Sequence, residues 1–178
     1  EPSIMLSAII KGIDTLIEKQ GQLTSFLIVP LALIVLYEVM MRYLFNAPTT
    51  WGFEATTFAY GMHFMLGLSF MENAQGHVRV DIIYQRLGLK GRAWVNLIGV
   101  IFFLIPGCLL VIITSWKFVL NAWLMMEGSP DPGGIPFRYL IKGTIPVGFA
   151  LMLLQGIVLG IHSLLQVLGI ETAEEDQL

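Results

Sequence analysis

Four long apolar segments dominate the pattern of hydrophobic and polar positions along this chain. They cover residues 23–44, 53–71, 93–116 and 143–168, and their apolar side chains fall on every helical face. A helix needs about 20 mostly apolar residues to cross a hydrocarbon core of about 30 Å, so each segment is long enough to span a membrane. The segments lack the apolar and polar alternation of membrane β-strands. The sequence therefore predicts an all-α integral membrane protein with four transmembrane helices.

The segment before the first predicted span has a different pattern. Residues 4–19 carry apolar side chains at helical spacing, with charged side chains between them. This segment is too short and too charged to cross a membrane, so it predicts an N-terminal amphipathic helix that lies in the membrane interface. At the other end, residues 171–178 form an acidic tail that we expect to be solvated. Residues 1–178 are thus interpreted as a single membrane domain.

Composition and charge agree with a membrane protein. Hydrophobic residues make up 56% of the 178 residues and charged residues only 13%, against about 25% charged residues in soluble domains. The formal net charge is -3, so nucleic acid is not an expected partner.

The distribution of Lys and Arg predicts the orientation. With four spans, one side would carry Lys11, Lys19, Arg79, Arg86, Lys90 and Arg92, and the other side Arg42, Lys117, Arg138 and Lys142. The larger set lies on the side of both termini. Since cytoplasmic loops carry the excess of Lys and Arg, both termini are predicted to be cytoplasmic.

The first predicted helical hairpin contains charged residues, which are costly in hydrocarbon. Glu38 and Arg42 are one helical turn apart and can form an ion pair. Glu54 follows after a short turn, so Arg42 is predicted to be shared between two carboxylates. We interpret Glu38, Arg42 and Glu54 as a structural intramembrane ion-pair network, with a proton or ion relay as the alternative role.

Three other features are candidates for helix contacts or docking. His63, near the middle of the second span, is predicted to form an interhelical hydrogen bond, with haem ligation as the alternative. Gly156 and Gly160 form a G-x-x-x-G pair that would let another helix approach closely. The outer connection contains Asp131, Pro132, Gly133 and Gly134, which suggest either a docking loop or a plain ordered turn.

Motifs of catalysis and metal binding are not found in the sequence. It has no nucleophile elbow, no H-E-x-x-H, no phosphate-binding loop and no paired cysteines. We therefore expect no enzymatic activity, and no catalytic, cofactor or metal site in this chain.

A set of residues in and after the first hairpin follows a family pattern. It comprises Glu38, Arg42, Tyr43, Asn46, Pro48, Trp51, Glu54, Gly67, Gly76, His77, Arg79 and Asp81. This pattern resembles the first hairpin of the small membrane subunit (the DctQ-type or Q subunit) of tripartite ATP-independent periplasmic (TRAP) transporters. The resemblance is specific over residues 38–86, and two further spans of suitable length support it.

The resemblance implies a role in a bacterial or archaeal inner membrane. In such systems a periplasmic substrate-binding protein captures a small organic acid, and a large M-type subunit carries it inward by sodium-driven symport. The chain would then be an accessory subunit that enlarges the scaffold of the M subunit, packs among membrane lipids and helps to receive the binding protein. Sodium is expected in the large subunit and no cofactor in this chain.

Two alternatives stay open from the sequence. One is a self-sufficient homodimeric exporter coupled to an ion, with Glu38 as its titrating carboxylate. The proximity of Arg42 disfavours this function, because a fixed opposite charge opposes free titration. The other is a haem or quinone anchor subunit of a membrane oxidoreductase, with His63 as the ligand.

Overall fold

The computed structural model describes residues 2–73 and 87–169, and all the regular elements in these two ranges are helices. The helices are α1 (Pro2–Ser25), α2 (Ile28–Tyr43), α3 (Thr50–Asn73), α4 (Leu89–Gly99), α5 (Ile105–Leu124) and α6 (Arg138–Leu168), and a π-helical segment (Val100–Leu104) joins α4 to α5. The predicted acidic tail at 171–178 and the motif residues Gly76, His77, Arg79 and Asp81 lie outside the described residues.

Two helices, α3 and α6, form the centre of the bundle. Helix α3 packs against α1, α2 and α6, and α6 packs against α1, α3, α4 and α5. The last residues of α2 and α5 and the first residues of α3 and α6 lie at the same end of the bundle. We call this the loop end, because it carries the turn at residues 44–49 and the loop at residues 125–137. The fold thus brings the polar part of the first hairpin and the predicted docking loop to the same end.

Three helical stretches in the described residues are long and apolar enough to cross a membrane. They are Ala8–Tyr43, Leu89–Leu124 and Arg138–Leu168. Helix α3 is not among them, although its 24 residues would reach about 36 Å, because polar residues lower its hydropathy. Length and composition therefore support a multi-pass helical membrane protein.

The first of these stretches is broken between α1 and α2. At the break, the N–H of Phe26 donates to the Leu23 carbonyl at 3.2 Å, and that of Leu27 donates to the Thr24 carbonyl at 3.0 Å. Pro30 explains the position, because it has no N–H for the Phe26 carbonyl and its ring crowds that carbonyl. The helix boundary therefore lies at Phe26 and Leu27, and α1 continues through residues 19–23, where the sequence suggested a boundary.

The π-helical segment follows from another proline. The N–H of Ile105 donates to the carbonyl of Val100, five residues earlier. Pro106 has no N–H to continue an α-helical pattern, and π-helical turns commonly absorb such an irregularity. This segment packs against the predicted glycine face: a Cβ added at Gly160 would lie 3.2 Å from Val100 Cγ1, and one at Gly156 would meet Leu104. The glycine pair therefore serves a contact within this chain.

A close approach of α3 and α6 at Gly148 makes a first prediction. A Cβ at this position would lie 3.0 Å from the carbonyl carbon of Met65, whose backbone cannot rotate away. We expect Gly148→Ala to destabilise the bundle by about 1–3 kcal/mol through overpacking. Thermal unfolding in detergent would measure the loss. The matched control is Gly107→Ala, because no atom lies within 4 Å of a Cβ there. Equal melting temperatures for the two variants would contradict the prediction.

Candidate functional site

Glu38 is the one residue of α2 that is buried. Its carboxylate accepts hydrogen bonds from the backbone N–H of Thr49 at 3.3 Å and from the Thr49 hydroxyl at 2.5 Å. Arg42 Nη2 lies 3.1 Å from Glu38 Oε1, and the Arg42 side chain is 50% exposed while that of Glu38 is only 10% exposed. The ion pair suggested by the sequence is therefore present, but the buried partners of Glu38 come from Thr49.

The position of Thr49 explains why a carboxylate is stabilised there. Thr49 immediately precedes α3, where the first N–H groups have no acceptor within the helix and the helix dipole favours negative charge. Glu38 on α2 thus caps the neighbouring helix. Gly52 makes room for this contact, because a Cβ there would lie only 2.6 Å from Glu38 Oε2. Sequence reasoning missed this capping, because Thr49 is 11 positions from Glu38 and on the other side of the turn.

Glu54, on the first turns of α3, has partners in the loop at residues 125–137. Its carboxylate accepts hydrogen bonds from the Ser129 hydroxyl and from the backbone N–H of Ile135, the latter at 2.7 Å. Among the described residues, no hydrogen bond or ion pair joins Arg42 to Glu54. The structure therefore does not show one arginine shared by both carboxylates: Glu38 holds the first hairpin, and Glu54 holds the distant loop.

The loop folds around the Glu54 carboxylate. Ser129 donates its N–H to the Ile135 carbonyl at 3.0 Å, and the Ser129 hydroxyl accepts from the Asp131 N–H at 3.1 Å. The N–H of Gly134 donates to the Asp131 carbonyl at 3.0 Å. Gly134 is small by necessity, because a Cβ there would lie 2.7 Å from Glu54 Oε2. This close packing shows why the loop needs a glycine beside its anchoring carboxylate.

The tip of the loop is exposed. Asp131, Pro132 and Gly133 face away from the bundle, and Gly133 adopts a φ of +78°, a conformation that favours glycine. These three residues, which the sequence suggested for docking, are therefore exposed on a loop whose shape is fixed by its bonds to Glu54.

The base of the loop is fixed to α5 and α6. Lys142 Nζ lies 2.5 Å from Glu127 Oε2 and 4.1 Å from the centre of the Phe118 ring. The N–H of Tyr139 donates to the Glu127 carbonyl at 3.1 Å, and the rings of Trp123 and Tyr139 meet edge to face at 5.2 Å. Since Ser129 and Ile135 bind Glu54 on α3 and the base of the loop binds α5 and α6, the loop joins α3 to these two helices.

The turn at residues 44–49 and the residues directly beside it contain four of the motif residues. Asn46 has a φ of +51°, which Asn tolerates better than most residues. Tyr43 and Pro48 are exposed, and the Trp51 ring packs at a tilt against that of Tyr37 on α2, with their centres 5.4 Å apart. Gly67 lies elsewhere, on α3, with no atom within 4 Å of an added Cβ. The motif therefore mixes residues that shape the turn with residues on the exposed surface.

A polar cluster holds α1 against α3. Gln20 Nε2 donates to the Leu66 carbonyl at 2.9 Å and to the Thr24 hydroxyl at 2.6 Å, and the Ser69 hydroxyl donates to Gln20 Oε1 at 3.1 Å. His63 Nδ1 lies 3.1 Å from the Thr24 carbonyl, which can only accept, so Nδ1 carries the proton. His63 and Ser69, two of the polar residues that lower the hydropathy of α3, thus face α1, and His63 makes an interhelical hydrogen bond.

These features describe an all-helical membrane protein whose loop end is held by hydrogen bonds to Glu38 and Glu54. Comparison with known proteins gives its family. The family model described as "Tripartite ATP-independent periplasmic transporters, DctQ component" matches residues 31–165. This range includes both carboxylates and the whole loop, and the chain belongs to the DctQ family. The resemblance inferred from the first hairpin is confirmed.

One curated relative extends the comparison. The chain is 26% identical over 150 residues to the C4-dicarboxylate TRAP transporter small permease protein DctQ of Vibrio cholerae serotype O1. The match covers 73% of this chain and 64% of the relative, so it spans less than two thirds of the relative's length. The family consists of transporter components and not of enzymes. The family and the long apolar helices together support a multi-pass inner-membrane protein.

Proposed function

We propose that this chain is the accessory membrane subunit of a TRAP transporter. It supports a large M-type subunit and helps a periplasmic substrate-binding protein to dock during uptake. The observation that carries this proposal is the loop at residues 125–137, held on Glu54 and exposing Asp131, Pro132 and Gly133 at its tip. A surface fixed in this way loses little conformational freedom when a partner binds, which favours docking.

The same geometry weighs against the alternative of an ion-coupled exporter. The Glu38 carboxylate accepts bonds from Thr49 and Arg42, whereas an ion-coupled exporter would need a carboxylate free to titrate. The Nδ1 bond of His63 to the Thr24 carbonyl gives this residue a contact between α3 and α1. The contacts of both residues therefore support structural roles.

We further propose that α3 crosses the membrane as a fourth span. Its 24 residues are long enough, and His63 and Ser69 bind α1 while Glu54 binds the loop, so these three side chains need not face lipid. The part of α1 up to residue 19 carries exposed charges at Lys11, Glu18 and Lys19 and would lie in the interface, and the end of α1 would form the first span together with α2. With four spans both termini share one side, and the distribution of Lys and Arg favours the cytoplasm.

The proposed substrate class is a small organic acid, taken up by sodium-driven symport. The name of the Vibrio cholerae relative refers to C4-dicarboxylates, which are small organic acids. The substrate and sodium would bind in the M-type subunit, and substrate selection would rest with the binding protein.

Purification of the tagged chain tests the assembly. It would be expressed with its neighbouring genes, extracted in mild detergent and analysed by mass spectrometry. We expect a large multi-span protein in about 1:1 ratio, as obligate subunits with large apolar interfaces stay associated. Isolation of the chain alone, as a stable homodimer, would overturn the accessory role.

Reconstitution of that complex tests the transport. With the binding protein added outside, proteoliposomes should take up radiolabelled succinate under an inward sodium gradient and not under an equal potassium gradient. Equal uptake under the sodium and potassium gradients would overturn the symport proposal. If the complex showed sodium-driven uptake of other solutes but not of C4-dicarboxylates, the substrate class proposed from the relative would be wrong.

A further inference from the structure

The π-helical segment leaves one backbone carbonyl without its regular hydrogen-bond donor. The carbonyl of Ile101 would accept from the N–H of Ile105 in an α-helix, and from that of the next residue in a π-helix. The Ile105 N–H donates to the carbonyl of Val100 instead. The next residue is Pro106, which has no N–H. The Ile101 carbonyl is therefore an open acceptor within its own helix.

The proline at the start of α2 has no such effect, because the helix compensates for it. Pro30 removes the regular donor of the Phe26 carbonyl, but the N–H of Val29 donates to that carbonyl at 3.2 Å. An open acceptor is thus a feature of the π-helical segment and not of every proline in an apolar helix of this chain.

The open carbonyl lies deep in a predicted span. The stretch Leu89–Leu124 is long and apolar enough to cross a membrane, and Ile101 is about 8 Å along the helix from its middle. The hydrocarbon core extends about 15 Å to either side of the midplane, and lipid chains offer no donor there. An unsatisfied backbone group at this depth is costly, and a neighbouring helix commonly supplies the missing bond.

The surroundings of the π-helical segment indicate where that donor binds. Helix α6 packs against the segment with Gly156 and Gly160, which have no side chain that could donate. The amide of Gln155, beside this pair, donates to a carboxylate of α1 at 3.2 Å. Away from α6 the segment is uncovered, since Ile101 is 48% exposed and Phe102 is 68% exposed. The exposed side is therefore open to a donor from another chain.

We propose that a membrane helix of the large M-type subunit docks on the exposed side of the π-helical segment and donates a side-chain hydrogen bond to the Ile101 carbonyl. The inference rests on the proposed function, which supplies the partner. The chemistry of the contact follows from the acceptor, because hydroxyl and amide side chains form such bonds between membrane helices. The segment is then a polar contact point in an otherwise apolar interface.

Pro106→Ala tests this contact, because the alanine N–H gives the helix a donor of its own. The tagged chain would be purified with its large subunit and diluted in mild detergent, and the bound fraction would be measured by size-exclusion chromatography. We expect the apparent dissociation constant to rise by about three- to tenfold, as for the loss of one hydrogen bond between membrane helices. The helix itself should lose no stability, since alanine favours helix over proline. An unchanged dissociation constant would overturn the proposal.

Pro30→Ala is the matched control, because the Phe26 carbonyl already has a donor. It should leave the dissociation constant at the native value, and equal effects of the two proline variants would overturn the proposal. A benzoylphenylalanine photocrosslinker at Phe102 should capture the large subunit. Capture of lipid alone, or of a second copy of this chain, would contradict the proposed contact.

The same purification separates this inference from the proposed function. A native complex that is indifferent to Pro106→Ala removes only the contact at the π-helical segment. A native chain that binds no large subunit would overturn the accessory role and this inference with it.

Discussion

Replacing Glu54 with Ala is expected to free the loop at residues 129–135 while the helices stay assembled. The substitution leaves the Ser129 hydroxyl and the Ile135 N–H without their acceptor, and bonds to a charged acceptor are among the stronger hydrogen bonds in proteins. We expect amide hydrogen exchange at Ile135 to accelerate by about tenfold or more. Uptake by the reconstituted complex should fall by a similar factor of about ten, because the docking surface loses its fixed shape.

The control for Glu54→Ala removes a carboxylate from the loop itself. The Asp131 side chain is exposed, and only the backbone N–H and carbonyl of this residue are used to close the turn. Asp131→Ala should leave the exchange rate of Ile135 unchanged. A fall in uptake with unchanged exchange would place Asp131 in the docking contact. If Glu54→Ala left both exchange and uptake at the level of the native chain, the proposed role of the loop would be wrong.

The comparison of Glu38 with Glu54 shows what the sequence could predict. The Glu38 and Arg42 pair was predictable, because four positions on one helix determine the distance between side chains. The partners of Glu54 are 75 and 81 positions away. Such contacts depend on how the helices pack, and no local pattern in one sequence encodes that packing. The sequence therefore suggested the nearest cation, Arg42, where the structure has a serine hydroxyl and a backbone amide.

Helix α3 illustrates the same limit for membrane spans. Hydropathy identifies helices whose side chains face lipid, whereas α3 turns His63 and Ser69 towards α1. The family resemblance was predictable because it rests on short motifs around one turn. The break at Phe26 and Leu27 has a cause that is visible in the sequence, because Pro30 has no N–H for the Phe26 carbonyl.

Gly52→Ala is expected to have the second large effect. A Cβ at this position would lie 2.6 Å from both Glu38 Oε2 and Thr49 Oγ1, so the carboxylate must leave the start of α3. We expect the apparent melting temperature of the purified complex to fall by about 5 °C. The matched control is Gly61→Ala on the same helix, where no atom lies within 4 Å of an added Cβ. That variant should be as stable as the native chain or more stable, since Ala favours helix over Gly.

The role of Glu38 as a cap can be separated from its ion pair by a second comparison. Arg42 is half exposed, and ion pairs between partly exposed side chains one turn apart contribute little to stability. The Thr49 bonds are at the buried side of the carboxylate. Glu38→Ala should therefore lower the melting temperature at least as much as Gly52→Ala, and Arg42→Ala should lower it much less. If Arg42→Ala matched Glu38→Ala while Gly52→Ala was neutral, the ion pair rather than the helix cap would hold the first hairpin.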